Sequence, residues 1–593
     1  MKRKFNFLLL VCLLCSSCSP NIISRQNTGI PASGIQVTNL VAFARLYGYI
    51  RFFHPSDQAS LIDWDNAAID GVIAVRNASG TEELAKKLED FFKPIAPTLR
   101  VFPSSKQINL PKEIAKPIDG GPYTVTEWKY EGYDSGGAQD IYKSERIGQS
   151  VKNVDELPGE LKPWVPYNAN LVDGVSAIIP LALFKDNNGT LPHSQIPQTY
   201  LNHDLSAKDS QARRLAGIVI IWNMYQHFYP YWDVVDVDWK NVLEQTLEEA
   251  LTIKNEVDYY DLLQRLVAKA NDGHGNVIPK VYQEIFSPPI MLSWVEDKVI
   301  ILDVQGDEKG KVGRGDQVIS VEGIPVLQFL SKKEDEISAA TLQWRRYKAL
   351  SYLLSGLKNT SVNLEIKTLA GENKSINLER SMQGISFNQE ERPLPVTEIE
   401  PGIWYIDLTK IDDNRFNDVL EKLVTAKGIV FDLRGYPSTS TIFIEHIIRT
   451  QVSSPKFLVP IYSFPDQKSI NYKDVSWNLE PQEPTLNAKI VFLTDAREIS
   501  YAETCLGIIE YYKLGEIVGE PTAGTNGNIA RMQVLNDYEL VWTAMKVLNQ
   551  EGSQHHGVGI NPTVTLLRTV QGISEGRDEQ VEKAISIIHN NLR

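Results

Sequence analysis

The chain has 593 residues, too many for one hydrophobic core, with 42% apolar and 23% charged residues in the ordinary globular range. Its 60 basic and 74 acidic residues leave a formal charge of −14. That excludes the basic footprint nucleic-acid binding requires and a polybasic membrane patch.

At the N-terminus Lys2, Arg3 and Lys4 precede a short apolar run from Phe5 to Leu14, which is too short to span a bilayer. Ser16 and Ser17 then lead to Cys18. The pattern resembles a bacterial lipoprotein signal, with Cys15 where leucine is more usual. The resemblance implies lipidation at Cys18 and a place in the cell envelope as a periplasmic or outer-membrane lipoprotein. An ordinary secretory signal is the alternative, and either reading predicts export. The other cysteines are Cys12, Cys15 and Cys505, so the body has one thiol and no internal disulfide.

Residues 19–200 read as a mixed α/β domain without recognisable chemistry. Within it Phe52-Phe53-His54-Pro55 stands nine residues before Trp64, and His227-Phe228-Tyr229-Pro230 later stands nine before Trp239. Helical patterns precede both, at 40–50 and 215–225, so the copies predict similar helix–turn–helix units. His54 and His227 fit packing better than ligation. Strands are predicted at 123–130 and 174–184, and a linker at 185–213.

Residues 205–284 read as a helical segment. Its amphipathic helix over 258–271 ends at Asn271-Asp272-Gly273, with His274 on the following loop. Residues 285–382 alternate as strands around Gly313-Arg314-Gly315-Asp316 and resemble a PDZ domain, which implies capture of an extended or C-terminal peptide by strand addition. Residues 383–593 read as α/β with a largely parallel sheet: strands at 402–408, 428–433, 488–493 and 514–518 alternate with helices. A hairpin spans 529–547 and a helix closes the chain.

Ser500 lies between the strand ending at Leu493 and the helix from Tyr501 to Lys513. It can be that helix's N-cap, with Glu503 completing a capping box. The same position exposes a serine beside free backbone N–H groups and a positive dipole end, as an oxyanion site requires.

Asp272-Gly273-His274, the PDZ-like segment, Asp432-Leu433-Arg434-Gly435, Ser500-Tyr501-Ala502-Glu503, Gly519-Glu520-Pro521-Thr522-Ala523-Gly524 and Gly557-Val558-Gly559-Ile560-Asn561-Pro562 occur in the order of one family. The chain from about 210 onwards resembles the tail-specific, or carboxyl-terminal processing, serine peptidases (family S41), which include the tricorn core. The resemblance implies a crotonase/ClpP-like α/β core with an inserted PDZ-like domain, in a multidomain α/β plus β chain. It also implies Ser500 as nucleophile, Tyr501, Gly435 and Ser438 as oxyanion donors, and a polypeptide substrate. No cofactor or metal is expected, and membrane contact only through the lipid anchor.

Where some members carry a catalytic lysine this chain has Thr525, so the tricorn-like scheme with His274 as general base is expected. Gly273 replaces the serine that precedes that histidine, and His556 replaces a relay glutamate. His556 and Glu503 are therefore the candidates for orienting His274. Pro437 interrupts the glycine run and has no N–H to donate. These departures motivate an alternative, a catalytically impaired homologue acting as a peptide-binding envelope lipoprotein. Hydrolysis of non-peptide esters or glycans is a third reading.

Overall fold

The computed structural model describes residues 32–592 apart from 109–113, 115–122, 135–140, 153–155, 158–159, 202–209, 282–283, 307–309 and 384–389. The signal segment and Cys18 lie outside the described residues. No described helix is long and apolar enough to cross a membrane.

The internal repeat is real in three dimensions. Helices Ala32–Phe53 and Ser210–Phe228 each end at the aromatic His-Pro or His-Phe-Tyr-Pro turn. After each turn an aspartate caps a second helix: Asp63 accepts from the Asp65 and Asn66 amides ahead of Trp64–Val75, and Asp238 accepts from the Asn241 amide ahead of Trp239–Ala250. Such caps stabilise a helix by about 1 kcal/mol. His54 is buried between Ser56 and Thr98, and His227 accepts from the Asp466 amide while packing among Phe52, Phe53 and Phe228. Both histidines serve packing.

The N-terminal region is not an independent unit. The Tyr123–Glu131 strand pairs with Lys456–Tyr462, and the buried core of residues 40–277 runs on through Phe457, Val459, Leu540, Trp542 and Val547. The expected boundary near residue 200 therefore crosses continuous packing. The reason is topological: the sequence signal for each strand is local, whereas its pairing partner lies more than 300 residues away.

A second sheet runs in the order Ile290–Val295, Lys298–Val304, Gln317–Val321, Ser361–Lys367, Asn373–Glu379, all antiparallel. Alternate burial along Ser361–Lys367 gives it one apolar face, covered by helices Val326–Glu334 and Leu342–Tyr352.

The third sheet has the order Val396–Glu400, Ile403–Asp407, Gly428–Asp432, Lys489–Thr494, Glu516–Gly519, Val564–Thr565. All of its pairings are parallel except that of the first strand. Gly428–Asp432 is buried throughout, as a parallel strand covered on both faces must be. Asp432 pairs in register with Leu493, so the loops after both strands leave the sheet at the same end. In open α/β sheets that carboxyl end is where ligands bind.

Candidate active site

The loop from Asp495 leads to Ser500, the residue immediately before helix Tyr501–Tyr511. Ser500 does not cap that helix. Its backbone lies at φ 62°, ψ −119°, and its side chain makes no capping bond. A non-glycine residue in this region carries roughly 1–3 kcal/mol of strain, which the surrounding fold must hold. The same sharp strand-to-helix turn presents the serine of a nucleophile elbow. The capping-box expectation thus fails at its first residue, because the turn points the hydroxyl away from the helix amides.

Glu503 is fully buried and instead holds the loop beside Ser500. It accepts from the Thr522 hydroxyl, from the Gly524 amide at 2.7 Å and from the Thr525 amide at 2.8 Å, and it pairs with His555 at 3.3 Å. Thr525, which takes the place of the lysine some family members carry, is a structural link. Its carbonyl accepts from the Ser500 amide at 2.8 Å, and its hydroxyl accepts from the Gly273 amide at 3.2 Å. Ser500 and Gly273, the residue before His274, are thereby tied to one residue, although no hydrogen bond joins Ser500 and His274 directly.

A Cβ on Gly273 would lie 2.4 Å from the Thr525 hydroxyl, so the serine expected before the histidine has no room here. Its relay role has a substitute. The Thr543 hydroxyl, on strand Tyr538–Thr543, lies 2.6 Å from Asp272 Oδ1 and 2.9 Å from His274 Nδ1. Asp272 also accepts from the His274 amide at 3.0 Å and the Thr543 amide at 2.7 Å. A carboxylate only accepts, so the Thr543 O–H donates to Asp272 and the His274 Nδ1–H donates to Thr543. That network assigns the tautomer and leaves Nε2 as a proton acceptor. Burial raises the Asp272 pKa, while its bonds to Thr543, the nearby His556 and the bond to the His274 amide oppose the rise.

His274 is half-buried, and desolvation pushes its pKa down to about 4, with Glu503 opposing and Lys348 adding to the fall. The imidazole is neutral at pH 7 and able to act as a base. Neither expected orienting residue bonds to it. His556 stacks on Tyr231 at 4.1 Å and reaches Tyr229 at 3.3 Å, and Glu503 is committed to the 522–525 loop and His555. The His555-His556 pair diverges, and no group of described residues is arranged to hold a metal ion.

On the other side of Ser500 the Asp432-Leu433-Arg434-Gly435 turn is held by buried charge. Arg434 binds Asp432 and Asp578 through short bonds, and Tyr405 donates to Asp432 at 2.6 Å. Arg392 and Arg434 hold the Asp432 carboxyl well below its usual range, against the cost of burial. Gly435 follows at φ 130°. Its amide and that of Tyr501 have no hydrogen-bond partner among the described residues. Ser438 is different. Its amide donates to the Leu408 carbonyl at 2.9 Å and its hydroxyl to the Thr409 carbonyl at 3.0 Å. The expectation of Ser438 as an oxyanion donor fails, because turning past Pro437 brings its N–H back onto the neighbouring strand end. Tyr436 stands between Gly435 and Pro437 on the surface, its exposed ring 6.1 Å from that of Tyr501.

Residues 402–566 match the sequence profile described as peptidase family S41. The chain carries a peptidase family S41 domain. The S41 domain and its surroundings also match solved structures: mature CPAF at TM-score 0.53 and 14% identity, over 64% of this chain and 98% of that one. Mature CPAF complexed with lactacystin matches at TM-score 0.53 and 12% identity, over 63% and 97%. At these identities the likeness is one of fold. No curated protein sequence matches the chain.

Proposed function

We propose that the chain is an exported, lipid-anchored serine endopeptidase of the tail-specific type. The observation that carries the reading is the Asp272–Thr543–His274 chain of hydrogen bonds, which leaves His274 Nε2 unprotonated, together with a serine held on a strained elbow and linked through Thr525 to the residue before that histidine. In this reading Ser500 Oγ attacks the peptide carbonyl while His274 Nε2 takes its proton. The Tyr501 and Gly435 amides, both free, receive the developing oxyanion. His274 returns the proton to the leaving amine, and water then hydrolyses the acyl-enzyme with His274 again as base. Ser500 and His274 close to bonding distance when substrate arrives, as catalytic hydrogen bonds in empty sites commonly do.

The 285–382 region would act as a PDZ-like module, its antiparallel sheet and two helices presenting an extended or C-terminal segment to the cleft. The core would be crotonase/ClpP-like, and Cys18 would carry the lipid in the cell envelope. Cleavage of a denatured protein by the intact chain and its loss in Ser500→Ala tests the peptidase reading. Equal cleavage by both proteins would remove it. The competing reading, a peptide-binding homologue without turnover, rested on the missing relay and glycine run. The Thr543 relay and the free Gly435 and Tyr501 amides weigh against it.

A further inference from the structure

The helix Leu342–Tyr352 belongs to the second sheet's domain but is fastened to the candidate site. The Thr341 hydroxyl donates to the Ala523 carbonyl at 2.8 Å, and Gln343 Nε2 donates to the Thr522 carbonyl at 2.7 Å. Trp344 Nε1 donates to the Gly273 carbonyl at 3.2 Å, next to His274 itself. One turn on, Lys348 occupies the same face, with its ammonium 5.5 Å from the Trp344 ring centre. Lys348 is partly exposed and has no ion pair or hydrogen bond among the described residues. It feels the charge of Asp272 and acts in turn on His274. Asp272 cannot serve as its counter-ion by contact, since its oxygens accept from Thr543 and the His274 amide. Desolvation lowers the lysine's pKa to about 8, with Asp272 opposing.

A lone cation at this place works against the reaction proposed above. His274 must become an imidazolium in the transition state, and an unpaired ammonium on the helix fastened beside Gly273 disfavours that charge. The other groups acting on His274 are Glu503, whose oxygens are committed to the 522–525 loop and His555, and the neutral His556. Asp272 serves His274 through Thr543, so it is Lys348 that is left without a counter-ion, and a substrate carboxylate can supply one. We propose that Lys348 is a specificity-determining residue that binds a carboxylate side chain of the substrate peptide next to the scissile bond. An acidic residue there neutralises Lys348 and relieves the penalty on His274, so selection acts on turnover as well as on binding. This rests on the serine-peptidase reading for its turnover arm only.

The test uses the full chain and end-blocked peptides that differ only by Glu or Gln at one position, with a free C-terminus as a further arm. The native protein should cleave the Glu peptide about tenfold better than the Gln peptide in kcat/KM. Lys348→Met should abolish that preference, and Lys348→Arg should keep it. Binding by the Ser500→Ala form, measured without turnover, should show the same Glu preference, lost in Ser500→Ala/Lys348→Met. If neither protein cleaves any peptide, the peptidase reading fails and the binding arm alone decides this one. A Glu-to-Gln ratio unmoved by Lys348→Met in binding overturns the proposal. So does a preference that follows only the free C-terminus.

Discussion

The hydroxyl of Thr543 stands between Asp272 and His274, 2.6 Å from the carboxylate and 2.9 Å from the ring nitrogen, and fixes which nitrogen of His274 is left to act as a base. Replacing it with valine keeps the shape and removes the relay. Thr543→Val should lower kcat by about 10²–10⁴-fold with little change in KM, while Thr543→Ser restores most of it. Steady-state kinetics on one peptide substrate checks this. Equal kcat for the valine and native proteins would place the relay outside the mechanism.

Asp272→Asn offers the Thr543 hydroxyl an amide that can donate as well as accept, so the relay no longer specifies one tautomer. Activity should fall at least as far as in Thr543→Val, and the double variant should be no worse than the worse single one. Additive losses would mean that the two residues act separately.

Glu503 gathers the 522–525 loop at the foot of the site. Glu503→Gln replaces one accepting oxygen by a donor facing buried N–H groups. Loss of about 2–4 kcal/mol of stability is expected, measured by urea unfolding. A capping role for Glu503 would cost no more than about 1 kcal/mol.

Ser438 has lost its expected function to the Leu408 carbonyl. Ser438→Ala should therefore leave kcat/KM within about twofold, where loss of a true oxyanion donor costs about 10²–10³-fold. Comparison of the two proteins on the same substrate decides it.

Three buried histidines set a pH dependence for the fold. Desolvation lowers His54 to about 3, His227 to about 4 and His556 to about 4. Each is depressed relative to the unfolded value near 6.5, so protons favour the unfolded chain. The stability these groups contribute is full above that unfolded value and is lost as pH falls from about 6.5 towards 4. The slope is at most about 1.4 kcal/mol per pH unit for each. Thermal melts from pH 8 to 5 should show a fall in Tm beginning near 6.5, shallower in His54→Gln. A flat profile would contradict the neutral burial of these rings.

Much of this was legible in the sequence because it is written locally. Strands of the parallel sheet are apolar runs of about the right length, and the repeat announces itself by an Asp-Trp pair after each His-containing turn. Ser500 and His274 were readable as candidates from their motifs. Thr543 was not. It sits at an ordinary inward position of a strand, 269 residues from His274, and no spacing connects them. Glu503 and Ser500 match a capping box residue for residue, and only the positive φ of Ser500 separates that reading from an elbow. Ser438 failed because its amide's partner depends on how Pro437 turns the chain.

The central claim is that Ser500 is a nucleophile activated by His274. A serine-reactive phosphonate probe, applied to the full chain with the modified peptide identified by mass spectrometry, tests it without knowledge of the substrate. The account predicts labelling of the native protein at Ser500, none in Ser500→Ala, and a rate on the order of 10²-fold lower or less in His274→Ala. Labelling elsewhere, or at a rate that ignores His274, would contradict it.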